Sequence, residues 1–184
     1  MSDHFWWYVA RSSGILSWIL LTGTVVWGIL MPAKVTVPGV KRRVAWILDL
    51  HRWLGSLSLW FLALHLGALI ADSYTDFSIA DVFVPMLSDW KPGPVAFGVV
   101  AMWLLLAVQG TSLLMAKLPR RLWRQIHLTS YVSFGLVIAH SALAGTDSSN
   151  RLFAYSMAGS VLLVVGATIY RIAVRRDSPT KRTV

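Results

Sequence analysis

Four histidines sit in two apolar stretches of the chain: His51 and His65 in one, His127 and His140 in the other. The first pair is 14 residues apart and the second 13. At the rise of an α-helix, each pair spans about 20 Å along its axis. One further apolar stretch lies between the two, so the two helices cross a membrane in the same direction. His51 then matches His127 in depth, and His65 matches His140. Two imidazoles facing each other at one depth can take both axial positions of a haem iron, in the apolar slot that a helix bundle provides. The plainer alternative is that the four rings only hydrogen-bond between helices, although ionisable residues inside membranes are rare and mostly functional. Zinc fits less well, because no carboxylate or thiolate lies at ligand spacing within the same spans.

Other residues near these rings suit the same chemistry. Gly55 falls one turn after His51, where a missing side chain would admit a flat macrocycle; simple helix packing explains it equally well. Arg52 and Arg124 stand beside His51 and His127 and suit haem propionates, although the excess of cations at one membrane face also accounts for them. Arg11, in the first span, suits a propionate at the outer site in the same way; it lies on the side where few cations belong, so a buried acidic partner is also expected for it. Phe134 and Tyr131 lie between the two depths, as core packing or as a bridge across the gap. One spacing is awkward: 14 residues return a side chain to within roughly 40° of its starting direction, but 13 leave it about 140° off. The second helix must tilt, twist or distort, and Gly135 is a plausible place.

The elements that position these residues are read from hydropathy. The 184 residues are 56% hydrophobic and 14% charged, too little polar surface for a soluble globule. Five apolar runs, Ser12 to Met31, Trp53 to Ala71, Val95 to Ala116, Ile126 to Ala144 and Leu152 to Tyr170, are each near the ~20 residues a helix needs to span hydrocarbon. The expected fold is an all-α membrane bundle of five transmembrane helices. The first run has no basic stretch before it and no clean cleavage site, so it is expected to remain in the mature protein. The absence of cysteine excludes thiolate-held iron–sulfur clusters, thiolate zinc sites, covalently attached haem and disulfides.

The net charge of +9 concentrates at helix ends rather than in a patch for nucleic acid. Lys34, Lys41, Arg42 and Arg43, then Lys117, Arg120, Arg121 and Arg124, then Arg171, Arg175, Arg176, Lys181 and Arg182 mark three cytoplasmic segments. Asp72, Asp76, Asp81, Asp89 and Asp147 mark the other side, against Lys91. The N-terminus is then outside and the C-terminus inside. Trp6, Trp7, Trp46, Trp53, Trp90 and Trp123 supply the aromatic belt. The chain reads as one domain over residues 1–176 with a polar cytoplasmic tail over 177–184. Pro32 and Pro38 break the first loop, Pro92 and Pro94 start the third span, and Pro119 ends the turn after it. Ile79, Val82, Phe83 and Met86 recur at helical spacing beside Asp81, suggesting a short helix on the outer surface that Pro85 must end or kink.

The stretches DLHRWLGSLSLWFLALH, from Asp49 to His65, and RLWRQIHLTSYVSFGLVIAH, from Arg121 to His140, resemble the ferric reductase-like transmembrane family. That family includes the membrane domains of ferric reductases and NADPH oxidases and the haem subunit of bacterial methionine sulfoxide reductase systems. The opening segment WYVARSSGILSWILLTGTVVWGIL resembles small actinobacterial members, which implies a multi-pass protein of a bacterial plasma membrane. The family also uses pairs spaced 14 and 13, so the resemblance implies two haem b groups, the inner held by His51 with His127 and the outer by His65 with His140. It implies electron transfer to an extracytoplasmic acceptor, such as ferric iron or a partner protein. No glycine-rich dinucleotide motif occurs in the sequence, so the expected donor is a separate cytoplasmic flavoprotein or a membrane quinol. The alternatives are a quinol-oxidising cytochrome b subunit of a larger complex and a non-catalytic membrane anchor or assembly subunit.

Overall fold

A computed structural model of the chain describes residues 4–31, 44–73, 77–147 and 150–176. Lys34, Lys41, Arg42, Arg43, Pro32, Pro38, Asp76 and the tail from Asp177 lie outside the described residues, as do the side chains of Arg175 and Arg176. The elements are α1 (Phe5–Leu30), α2 (Val44–Ala71), α3 (Ile79–Phe83), α4 (Pro92–Leu113), a 3-10 turn (Met115–Lys117), α5 (Arg120–Ala144) and α6 (Arg151–Arg176). All are helical, and five of them are long and apolar enough to cross a membrane.

The helices outrun the apolar stretches at the end where the charges gather. α2 begins at Val44 rather than near Trp53, and α5 at Arg120 rather than near Ile126. Asp49, Arg52, Arg120, Arg121 and Arg124 are therefore helical. Long cationic side chains reach water from helix ends while the backbone keeps its internal hydrogen bonds. As a consequence His51 and His127 lie about two turns inside their helices. Pro92 occupies the first position of α4, where its missing N–H costs nothing. Pro119 immediately precedes α5.

The bundle is built from two antiparallel hairpins, α1 on α2 and α4 on α5, with α6 packed on α1 and α5 also touching α1. Small residues allow close approach and carry hydrogen bonds across. Ser17 Oγ donates to the Ser58 carbonyl at 2.9 Å and Ser133 Oγ to the Ala101 carbonyl at 3.0 Å, each worth about 0.6 kcal/mol in a membrane bundle. Between the hairpins, Leu21, Val25, Ile29, Leu105, Phe134 and Val164 form a buried apolar core, with Tyr131 packed against it. Phe134 and Tyr131 thus belong to the core at a level between the histidine pairs.

The short helix α3 is present and stops at Phe83, before Pro85 is reached. It begins in a capping box: the Ser78 N–H and Oγ donate to the Asp81 carboxylate at 2.8 and 2.7 Å, and the Asp81 N–H donates to Ser78 Oγ at 3.3 Å. Val82 tucks beneath it, in a cluster with Phe77, Val95, Val99 and Met102.

Candidate haem-binding site

The two antiparallel hairpins leave α2 and α5 running in the same direction. His51 and His127 meet, with ring centres 6.1 Å apart and planes inclined by 56°. His65 and His140 line one cavity of about 410 Å³ at the other level of the bundle. The depth matching expected from spacing is therefore what the fold brings together. α5 runs as continuous helix through Gly135, whose missing side chain would meet nothing within 4 Å, so the helix is not broken at that glycine.

Every one of the four rings has its Nδ1 on a neighbouring helix. His51 Nδ1 lies 3.1 Å from the Thr24 carbonyl, His65 Nδ1 2.7 Å from that of Ala10, and His140 Nδ1 2.9 Å from that of Pro94. A carbonyl only accepts, so in each neutral ring Nδ1 carries the proton and donates it, and Nε2 keeps a lone pair. His127 Nδ1 faces Ser112 Oγ at 3.4 Å. Ser112 spends its own proton on the Val108 carbonyl at 2.6 Å, so its oxygen accepts from His127 as well. An N–H donated by one ring nitrogen while the other is free is the arrangement of metal-ligating histidines.

Glycines make this possible. A Cβ added at Gly14 would stand 3.0 Å from His65 Nδ1, at Gly28 3.0 Å from His51 Cε1, and at Gly98 2.8 Å from both Nδ1 and Cε1 of His140. Each of these glycines lies one turn after the carbonyl that its histidine uses: Ala10 before Gly14, Thr24 before Gly28, Pro94 before Gly98. Removing the side chain bares a strip of helix on which the ring can lie. These residues went unnoticed in the sequence, yet a signal was there. Gly14 and Gly28 are 14 residues apart, as are Gly98 and Ser112, repeating the spacing of His51 and His65 on the partner helix.

The cavity at His65 and His140 is lined mainly by apolar side chains, with Trp7, Arg11, Ser141, Thr146 and Asp147 among the polar ones. Its size is that of sites for organic ligands. Arg11 forms an ion pair with Asp147, and Trp7 stacks on the guanidinium at 4.9 Å. The acidic partner expected for Arg11 is Asp147, largely buried at 9% exposure. Trp18 also lines the cavity, and its buried Nε1–H has no acceptor. Arg52 is exposed and stands 3.7 Å from Asp49 on the same helix, a surface pair of little worth. Arg124 is exposed. Gly55 faces Thr24 and Gln109 on neighbouring helices rather than a histidine.

These residues fit haem. A metal bound at about 2 Å by one nitrogen of each of two imidazoles holds the ring centres roughly 6 Å apart, which matches the His51–His127 separation. Among the described residues no three His, Cys, Asp or Glu side chains gather as a metal group. The histidines come two to a level, the number an iron already held by four porphyrin nitrogens requires. The profile of the family described as ferric reductase like transmembrane component matches residues 13–138, more than half of the chain. The chain belongs to this family. The matched region contains His51, His65 and His127, with all three glycines and Ser112, and stops two residues before His140. No curated protein and no solved structure matches the chain individually. Membership brings transmembrane electron transfer as the general activity, in a multi-pass membrane protein.

Proposed function

We propose that the protein carries electrons across a bacterial plasma membrane through two haem b groups, one held by His51 and His127 and the other by His65 and His140. The observation that supports this most is the common state of the four imidazoles: each has its Nδ1 on a neighbouring helix, leaving Nε2 as a lone pair for a partner across the bundle. A hydrogen-bonded packing role would need only the first half of that arrangement.

When bound, haem supplies an iron that gains and loses one electron. The chain's own residues supply the rest. The four carbonyl and hydroxyl acceptors fix each ring's tautomer and direction. Leu21, Val25, Leu105 and Phe134 keep the space between the two levels dry. Arg11, with five N–H donors, can hold Asp147 and still offer donors to a propionate at the rim of the outer cavity. Arg52 and Arg124 serve the inner site in the same way.

The basic segments around Lys117 and Arg171 support a reading with the His51–His127 level at the cytoplasmic face, the N-terminus outside and the C-terminus inside. Electrons enter there from a cytoplasmic flavoprotein drawn to the cationic surface, or from a membrane quinol, and leave at the outer level to a metal ion or partner protein. The acidic outer loop has less to offer an incoming cation than its composition suggests: Asp72 is buried and Asp81 caps α3. Purified protein should show a low-spin b-type spectrum and two haems per chain by pyridine haemochromogen assay. Protein that folds and purifies without a Soret band would refute the cytochrome reading in favour of a structural membrane subunit.

A further inference from the structure

Three of the four imidazoles donate to a helix carbonyl, and the fourth does not. At the position where α4 would carry the fourth glycine, 14 residues after Gly98, it carries Ser112. Its hydroxyl donates to the Val108 carbonyl at 2.6 Å. That carbonyl is the counterpart of Pro94 O, Ala10 O and Thr24 O, one turn before the small residue. The serine thus occupies the acceptor that the common arrangement would give to His127 and offers its own oxygen instead, at 3.4 Å. The same oxygen also faces Trp123 Nε1 at 3.4 Å, and the Trp123 ring stacks on His127 with centres 5.0 Å apart and planes 28° apart. With one proton given and two accepted, the hydroxyl is fully used. The 13-residue spacing of His127 and His140 explains the difference. It turns His127 about 100° from the direction a 14-residue spacing would give it, away from the carbonyl strip and toward a side chain that can reach it.

We infer that Ser112 is the positioning residue for His127 and, through it, sets the reduction potential of the haem that His127 shares with His51; this rests on the haem reading above. Donation from Nδ1–H makes an imidazole a more electron-rich ligand, which favours ferric over ferrous iron and lowers the potential. A long bond to a shared hydroxyl donates weakly. Changing the acceptor therefore moves one haem and leaves the other where it is. In S112G the shorter of the two hydroxyl bonds to the Val108 carbonyl is removed, Thr111 Oγ1 alone remaining at 3.2 Å much as Ser13 Oγ remains on the Ala10 carbonyl at 3.1 Å, and the helix surface is bared, so His127 gains a stronger acceptor. In S112A the Cβ stays in the way and no acceptor remains. The two substitutions act in opposite directions.

The test is an optical redox titration of the full-length protein, with haem per chain measured on the same samples. One midpoint should fall in S112G and rise in S112A, the second should stay at its wild-type value, and S112T, which keeps the hydroxyl, should stay near wild type. Should S112A lose one haem outright, retention in S112T supports the assignment and equal loss in S112T overturns it. Unmoved midpoints, or shifts of one sign in both S112G and S112A with two haems retained, also overturn it. A wild-type protein without haem would fail earlier and separately, at the cytochrome reading itself.

Discussion

An imidazole inside a membrane must have both nitrogens accounted for, and here the accounting separates holding from ligating. Four Nδ1 atoms are used by neighbouring helices, which leaves four Nε2 atoms, two at each level of the bundle. Gly98 is the most demanding of the supporting residues, since any Cβ there would stand within about 3 Å of three His140 ring atoms. Gly98→Ala should push the ring off the Pro94 carbonyl and lower the occupancy of the outer haem, read as haem per chain. Gly159→Ala in α6 is the control, because nothing lies within 4 Å of its Cβ position. It should keep full haem content and, by helix propensity, gain up to about 1 kcal/mol. Equal haem loss in both variants would show that the glycines serve general packing. The histidine pairs were legible in the sequence because spacing alone fixes their depth. The glycines were not, because their role is defined by what the partner helix places against them. Gly55 drew attention through its place beside His51 on the same helix, yet it faces Thr24 and Gln109.

At the scale of elements, hydropathy located all five spans but placed the starts of α1, α2 and α5 too late. It measures where lipid begins to be tolerated, whereas a helix continues until its backbone can be satisfied otherwise. Asp49 and Arg52 on α2 made that stretch look like loop although both sit on its helical surface. The ties between elements were partly legible. Arg11 called for an acid because it sat on the wrong side for a cation, but that the acid is Asp147, 136 residues away, is a property of the packed bundle. This pair joins α1 to the α5–α6 connection over the outer cavity. Asp147→Asn removes the charge and leaves Arg11 half-partnered. The expected cost is about 1–2 kcal/mol, since Arg11 keeps partial access to water, visible as a lower unfolding temperature in detergent with the inner haem retained. An unchanged transition would mean that the pair contributes nothing to closure of this end.

At the scale of the whole molecule, the two hairpins are near-copies: each lays two histidines of one helix against two small residues of the other. Sequence comparison along the chain does not show this, because the hairpins share only small residues 14 apart and histidines 14 apart in one and 13 in the other, too few to stand out against apolar background. The proposed orientation rests on charge alone, and the lack of cysteine makes it easy to check. In intact cells a membrane-impermeant maleimide should label S73C, in the turn after α2, and reach K117C, in the 3-10 turn, only after permeabilisation. The reverse pattern would place the His51–His127 level outside and invert the proposed direction of entry.

The central claim is the pairing of the four histidines, and haem per chain in single-histidine variants tests it most directly. His65→Ala and His140→Ala should each lose the same one of two haems, and His51→Ala and His127→Ala the other, each pair of variants leaving one matching residual spectrum. Residual spectra that group His51 with His65, or a full complement of two haems in any of the four variants, would contradict it.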